Sequence, residues 1–167
     1  MKTSEGGRDA ASAPLWATLV ATFFGVGHLR PGPGTWGSAA TVILWWLLGR
    51  WITPGWQPCA AAVLALVAVL IGIPAATRVA RASSRKDPQF VVIDEVAGQL
   101  ITLIAAPIAW QSLLLGFILF RVFDIVKPPP ASTIDREWHH GFGVMSDDMV
   151  AAFYALLAFA LGQRLLG

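Results

Sequence analysis

The stretch from Val96 to Phe120 contains no charged residue, which limits the folds open to this chain. A run of that length fits either one tilted membrane helix or two short ones. Pro58–Thr77 and Met149–Gln163 are also uncharged, and Trp36–Ile52 is interrupted only by Arg50. Only 13% of the residues are charged, against about 25% in soluble domains. The sequence therefore predicts an all-α, multi-pass membrane bundle.

Basic residues on both sides of the long run indicate how often it crosses the membrane. They precede it at Arg78, Arg81, Arg85 and Lys86, and follow it at Arg121, Lys127 and Arg136. The positive-inside rule places both groups in the cytoplasm, which a single crossing would prevent. We expect two short helices instead, roughly Phe90–Ala106 and Trp110–Val126. The bundle then has four to five spans, and its polar loops meet at the cytoplasmic face.

The remaining organisation is simple. Residues 14–167 are predicted to form a single helical domain, preceded by a disordered polar tail over residues 1–13. Residues 15–24 are expected to form a short helix at the membrane interface, and whether it crosses is open. Cys59 is the only cysteine, so no internal disulfide can form. The net charge is only +2, which argues against nucleic-acid binding. The oligomeric state is left open.

The first polar motif is GVGHLRPGPGTWGS, residues 25–38. Its glycines and prolines predict a tight loop, and Thr35 or Ser38 could cap the helix that follows. A helix start of this kind offers free N–H groups to an anion, while His28 and Arg30 could add charge or a proton. A plain loop before a capped helix is the alternative interpretation.

The second motif is VIDEVAGQ, residues 92–99. Asp94 and Glu95 stand at the start of an uncharged helix. Burying carboxylates there is costly unless they are paired or hold a cation. A simple charge at the helix terminus is the alternative for Glu95, but the two acids together favour a functional site.

The third motif is RVFDIVKPPP, residues 121–130. On a helix, Arg121, Asp124 and Lys127 fall on one stripe, and Pro128 ends the helix just after it. A local ladder of salt bridges within that helix is the alternative interpretation.

The fourth motif is HHGFGVMSDDMVAA, residues 139–152. Ser146 or Asp147 is predicted to cap the last helix, which leaves Asp148 unexplained. The two histidines, His139 and His140, are read as a solvated surface rather than a metal site. Together, the four motifs bring acids from three helix ends to one membrane face, beside basic side chains. Oxygen-only clusters favour a hard cation such as Mg²⁺, and such a cation beside basic groups suits phosphoryl chemistry.

In order and over about 120 residues, RPGPGTWGS (30–38), VIDEVAGQ (92–99), FRVFDIVKPPP (120–130) and GVMSDDMVA (143–151) resemble the bacterial phosphatidylglycerophosphatase A family. The resemblance implies an all-helical protein of the inner membrane that depends on Mg²⁺. It also implies hydrolysis of phosphatidylglycerophosphate to phosphatidylglycerol, a step of phospholipid biosynthesis.

On this interpretation each motif has a role in the site. The metal ligands are expected among Asp94, Glu95, Asp124, Asp147 and Asp148. The phosphate is expected to contact Arg30, Gly32, Gly34, Thr35, Arg121 and Lys127. The catalytic acids and bases are expected among His28, Asp94, Asp124 and Asp148, and a water molecule is favoured as nucleophile.

Two other functions are compatible with the same sequence. A small cation-coupled transporter would also place carboxylates within a membrane. A lipid-binding relative without catalytic activity is the second alternative. A transporter needs polar groups through the full depth of the membrane, whereas the polar motifs here meet at one face.

Overall fold

In a computed structural model, residues 12–85, 88–129 and 141–166 are described, and this part of the chain contains helices and no strands. The helices are α1 (Leu15–Ala21), α2 (Pro33–Gly49), α3 (Gln57–Ser83), α4 (Ile93–Leu103), α5 (Trp110–Val126) and α6 (Gly141–Leu166). Short 3-10 turns at Val26–His28 and Pro54–Trp56 precede α2 and α3. The predicted all-α fold is confirmed.

Within the described residues, two helices are long and apolar enough to span a membrane: Pro54–Ser83 and Met145–Leu165. Only 33% and 39% of their most apolar windows are buried, whereas the core helix of a soluble protein would be mostly enclosed. Leu70 of α3 and Leu161 of α6 are among the large apolar side chains on the outer surface. Such a surface suits contact with lipid. The expected four to five spans are not established by this length criterion.

The uncharged run from Val96 to Phe120 folds as two helices, as predicted. Helix α5 has the expected bounds, Trp110–Val126, and ends just before Pro128. Helix α4 is shorter than expected, because it begins at Ile93 and ends at Leu103. Its 11 residues fall below the roughly 17 needed to cross a bilayer.

Helix α4 is the centre of the bundle and contacts α2, α3, α5 and α6. All but two of its residues are buried, including Asp94 and Gln99. The absence of a side chain at Gly98 makes the close packing possible. A Cβ there would stand 2.6 Å from the Phe120 ring and 3.2 Å from the backbone oxygen of Asp148. The acids on α4 are therefore held inside the protein rather than displayed on its surface.

The predicted N-terminal helix is present as α1 and packs against α3. The guanidinium of Arg78 lies over the Trp16 ring, 5.1 Å from its centroid, which attaches α1 to the end of α3. The expected disordered tail falls mainly outside the described residues, as do His139 and His140.

The predicted helix caps are wrong in two places. Gly32 is the N-cap of α2 and Pro33 begins the helix, so Thr35 and Ser38 lie inside it. Helix α6 begins at Gly141, which puts Ser146 and Asp147 more than a turn beyond its start. Proline suits the first helical position because its missing N–H would have no partner there. The acids of α6 therefore project from the body of a helix.

Candidate metal and phosphate site

Three carboxylates converge where α4 meets α6. The first turn of α4 supplies Asp94 and Glu95, and α6 supplies Asp148. One oxygen from each lies within 4.8 Å of the other two. The carboxyl group of Asp124, from α5, interacts with both Glu95 and Asp148. The structure thus unites acids from three of the sequence motifs in one cluster.

The cluster is buried, so its negative charges are poorly compensated by solvent. Asp94 is 8% exposed, Asp124 9% and Asp148 5%. The Glu95 carboxylate faces those of Asp148 and Asp124, and burial leaves little water to screen their repulsion. Within the described part of the chain, Glu95 Oε2 has no hydrogen-bond partner. Converging buried oxygens with unused bonding capacity fit a small hard cation.

The basic residues of α5 compensate part of this charge. Arg121 Nη1 lies 2.6 Å from Asp124 Oδ2, one turn along the same helix. Lys127 reaches across to α6 instead and pairs with Asp147. The Arg121 Nε group is buried and, among the described residues, has no hydrogen-bond partner. Arg121 therefore retains a donor close to the acids, which could bind a phosphate oxygen.

The glycine-rich loop closes over the cluster at Gly34. A Cβ at Gly34 would overlap the Glu95 carboxylate and lie 3.2 Å from Arg121 Nη1. Only glycine permits this approach of the α2 N-terminus. The first-turn N–H groups of a helix are not used within it and can bind an anion. Gly32, at φ 69°, makes the turn into α2, while Thr35 is exposed beside it.

His28 and Arg30 line a separate pocket on the outer side of the same loop. The pocket has a volume of about 310 Å³. Its lining consists of Gly27, His28, Arg30, Pro31, Gly32, Pro33, Arg85, Gln89 and Phe90. The His28 ring stacks on Phe90 with centroids 5.4 Å apart. The structure thus groups His28 with two arginines and does not place it in the three-acid cluster.

Two residues of interest were missed in the sequence. In the sequence Arg85 indicates only sidedness, yet in the structure it lines the same pocket as Arg30. Gln99 lies in the VIDEVAGQ motif, one turn beyond Glu95, and is fully buried. In the described part of the chain neither polar atom of its side chain has a partner. A glutamine inside an uncharged run was the available signal, because a buried amide without a partner is costly.

Comparison with known proteins agrees with the geometry. The family model for Phosphatidylglycerophosphatase A matches residues 19–163. A Phosphatidylglycerophosphatase A from Haemophilus influenzae is 38% identical over 83% of each chain. One from Escherichia coli is 37% identical over 80% of this chain and 75% of its own. A Bacteroides thetaiotaomicron relative, provisionally named as a phosphatidylinositol-3-phosphatase, is 34% identical over 89% of this chain and 94% of its own. No solved structure matches.

Proposed function

Because the chain belongs to the phosphatidylglycerophosphatase A family, we propose that it removes the terminal phosphate of phosphatidylglycerophosphate to give phosphatidylglycerol. The protein is an enzyme of the phosphoric monoester hydrolase class. The observation that supports this function best is the convergence of Asp94, Glu95 and Asp148 beside Arg121 and the Gly34 loop. Oxygens that could bind a cation and donors that could bind an anion lie close together there, which supports the proposal.

We propose Mg²⁺ as the cofactor, held by Asp94, Glu95 and Asp148, with Asp124 beside them. An oxygen-only donor set suits this hard ion better than a softer metal. When bound, Mg²⁺ would neutralise phosphate oxygens and favour the attack of water on phosphorus. Asp147 was also expected as a ligand, but it is engaged by Lys127, which makes it a less direct candidate.

The side chains suggest how hydrolysis proceeds. Water attacks phosphorus to form one P–O bond, and the P–O bond to the glycerol of the headgroup breaks. A buried carboxylate, either Asp124 or Asp148, accepts the proton of the attacking water. The departing glycerol oxygen takes up a proton and leaves as an alcohol. Arg121 and the N–H groups at the start of α2 hold the phosphate oxygens during this exchange.

An apolar cavity next to the site supports a lipid substrate. It measures about 200 Å³ and is lined by side chains of α2, α3 and α4, including Ile93 and Val96, together with residues near α1. Ile93 and Val96 flank Asp94 and Glu95 in the chain. An acyl chain in this cavity would leave the headgroup at the carboxylates. Leu44 of α2 and Leu64 of α3 also line the cavity, which is consistent with an acyl chain lying along these helices.

The opposite end of the bundle argues against a transporter. A buried cluster of apolar side chains closes that end and includes Trp45, Leu103, Leu113 and Phe159. Going inward along α4, Gln99 and Thr102 are the last polar side chains before this cluster. A cation leaving the carboxylates would therefore meet apolar side chains, which suits a site open to one side of the membrane.

The basic residues near the site support an orientation in the membrane. Arg78, Arg81 and Arg85 lie at or just beyond the end of α3 that leads into α4. The positive-inside rule assigns that end to the cytoplasm. We therefore propose a multi-pass protein of the bacterial inner membrane, with the active site facing the cytoplasm. Helices α2 and α5, at 17 residues each, would add crossings at the lower length limit.

Phosphate release by the purified protein in detergent tests the function. Phosphatidylglycerophosphate should be hydrolysed with Mg²⁺ and not with EDTA. Phosphatidylinositol 3-phosphate serves as the comparison substrate, since one relative carries that activity in its name. Asp124→Asn should reduce turnover by at least about 100-fold while the protein remains folded. A wild-type protein without Mg²⁺-dependent phosphate release would exclude the proposed enzyme.

A further inference from the structure

The pocket that contains His28, Arg30 and Arg85 has no role in the hydrolysis described above. We propose that it binds the phosphodiester of the lipid, while the carboxylate side of the loop binds the terminal phosphate. This inference rests on the proposed function and adds a second anion subsite to it. The enzyme would then select lipids that carry both a phosphodiester and a phosphomonoester.

The lining of the pocket suits an anion. Arg30 and Arg85 supply two permanent positive charges from different segments of the chain, and none of the described lining residues is acidic. His28 is held against Phe90 by ring stacking and adds a ring nitrogen. The side-chain amide of Gln89 completes the polar lining. Arginine is well suited to such a ligand, because its N–H groups match the spacing of phosphate oxygens.

The pocket and the carboxylate cluster are close neighbours. Gly32 and Pro33 line the pocket, and the next residue, Gly34, contacts Glu95 and Arg121. Consecutive Cα atoms are about 3.8 Å apart, so Gly32 and Gly34 are separated by no more than about 7.6 Å. The two subsites are therefore joined by a single turn of backbone. A ligand with two phosphates joined through a glycerol has a suitable size to occupy both.

A second chain segment links the same two subsites. Phe90 lines the pocket, and Asp94 and Glu95 follow it within five residues. The 27–34 loop is packed against this segment, since a Cβ at Gly27 would overlap the Phe90 carbonyl oxygen. The relative position of the two subsites is thus set by backbone packing. Such a fixed separation would favour ligands whose two anionic groups have the matching spacing.

A general attraction of arginines to anionic membranes would also involve Arg85. The two explanations differ in specificity. Arg81 is exposed in the last turn of α3, four residues before Arg85, but does not line the pocket, so Arg81→Gln is a matched loss of surface charge. A surface effect would weaken binding to every anionic lipid in both variants. A phosphodiester subsite would depend on Arg85 and not on Arg81.

Kinetics in uncharged detergent micelles test the proposal with wild type, Arg85→Gln, Arg30→Gln and Arg81→Gln. The substrates are phosphatidylglycerophosphate, which has both phosphates, and phosphatidic acid, which has only the monoester. Arg85→Gln and Arg30→Gln should raise KM for phosphatidylglycerophosphate about tenfold, the size of one lost charge-assisted hydrogen bond. For Arg85→Gln, kcat and the kcat/KM for phosphatidic acid should stay within about twofold of wild type. Arg81→Gln should match wild type throughout.

The affinity for phosphatidylglycerol, measured by isothermal titration calorimetry, gives an independent test. This lipid has only the phosphodiester. Its Kd should rise about tenfold in Arg85→Gln and remain unchanged in Arg81→Gln. Equal effects in these two variants, or a loss of kcat without a change in KM, would overturn the proposal. A wild-type protein that hydrolyses neither substrate would refute the proposed function instead. In that case the binding of phosphatidylglycerol would still test whether the pocket binds a phosphodiester.

Discussion

Lys127, at the end of α5, pairs with Asp147 of the neighbouring helix α6. Asp147 has a side chain only 5% exposed, and that of Lys127 is 30% exposed. Lys127 adopts the left-handed backbone conformation, with φ 45°, at the point where α5 ends. The pair therefore joins the end of α5 to the body of α6, and both helices border the carboxylate cluster. Asp124 pairs with Arg121, so the two basic residues of α5 contact different carboxylates.

Removing either partner of the Lys127–Asp147 pair should destabilise the protein. Lys127→Met and Asp147→Asn should each cost about 1–3 kcal/mol, because each breaks a charge-assisted contact between a buried carboxylate and a partly buried ammonium group. The double variant should lose less than the sum of the two single losses. Thermal unfolding in detergent, followed by tryptophan fluorescence, measures all three. Additive losses would show that the two side chains act independently.

Substituting Gly34 should impair activity more than substituting another glycine. In Gly34→Ala the new methyl group would overlap the Glu95 carboxylate, so the α2 N-terminus or the carboxylate must move. We expect at least about a tenfold loss of kcat/KM, since small displacements in a catalytic site are costly. Gly55→Ala is the matched control, because a Cβ there meets nothing within 4 Å. Equal activity of the two variants would contradict the close approach.

Two helical glycines should respond to alanine in opposite directions. Gly98→Ala places a Cβ 2.6 Å from the Phe120 ring and should destabilise the protein by about 1–3 kcal/mol. Gly162→Ala, in α6, meets nothing within 4 Å and should stabilise it by about 0.5–1 kcal/mol. Unfolding midpoints in the same detergent measure both. An unchanged unfolding midpoint in Gly98→Ala would mean that α4 and α5 can move apart without a loss of stability.

The features that could be predicted were those with a strong local cause. Helix α5 has the predicted bounds because Pro128 prevents its continuation and the basic residues required the chain to return. The acids on α4 were recognisable because carboxylates that begin an uncharged helix are costly to bury. The convergence of Asp94, Asp124 and Asp148 followed once the helices were assigned to one face.

The features that could not be predicted depend on contacts between distant segments. Ser146 or Asp147 was predicted to cap the last helix, and a helix that starts earlier must include Gly141, which costs about 1 kcal/mol relative to alanine. Helix α6 nevertheless begins at Gly141, and packing against α4 and α5 offsets that cost. A ladder of salt bridges within α5 was the alternative interpretation of the helical stripe, and its Arg121–Asp124 pair is present, whereas Lys127 pairs with Asp147 of α6. Arg85 belongs to the pocket only because α3 ends beside the 27–34 loop.

Mg²⁺ should stabilise the wild-type protein, and Asp148→Asn should abolish that effect. Asp94, Glu95 and Asp148 offer oxygens to one point inside the protein, so a bound cation removes repulsion that exists only in the folded state. At about 100 times its Kd an ion adds about 2.7 kcal/mol, which corresponds to several degrees in Tm. Without Mg²⁺, Asp148→Asn should unfold at a higher temperature than wild type, because one buried charge is gone. Scanning calorimetry in EDTA, in Mg²⁺ and in NaCl of equal ionic strength separates specific binding from screening. An Asp148→Asn variant that retained the full Mg²⁺ response would place the ion elsewhere in the protein.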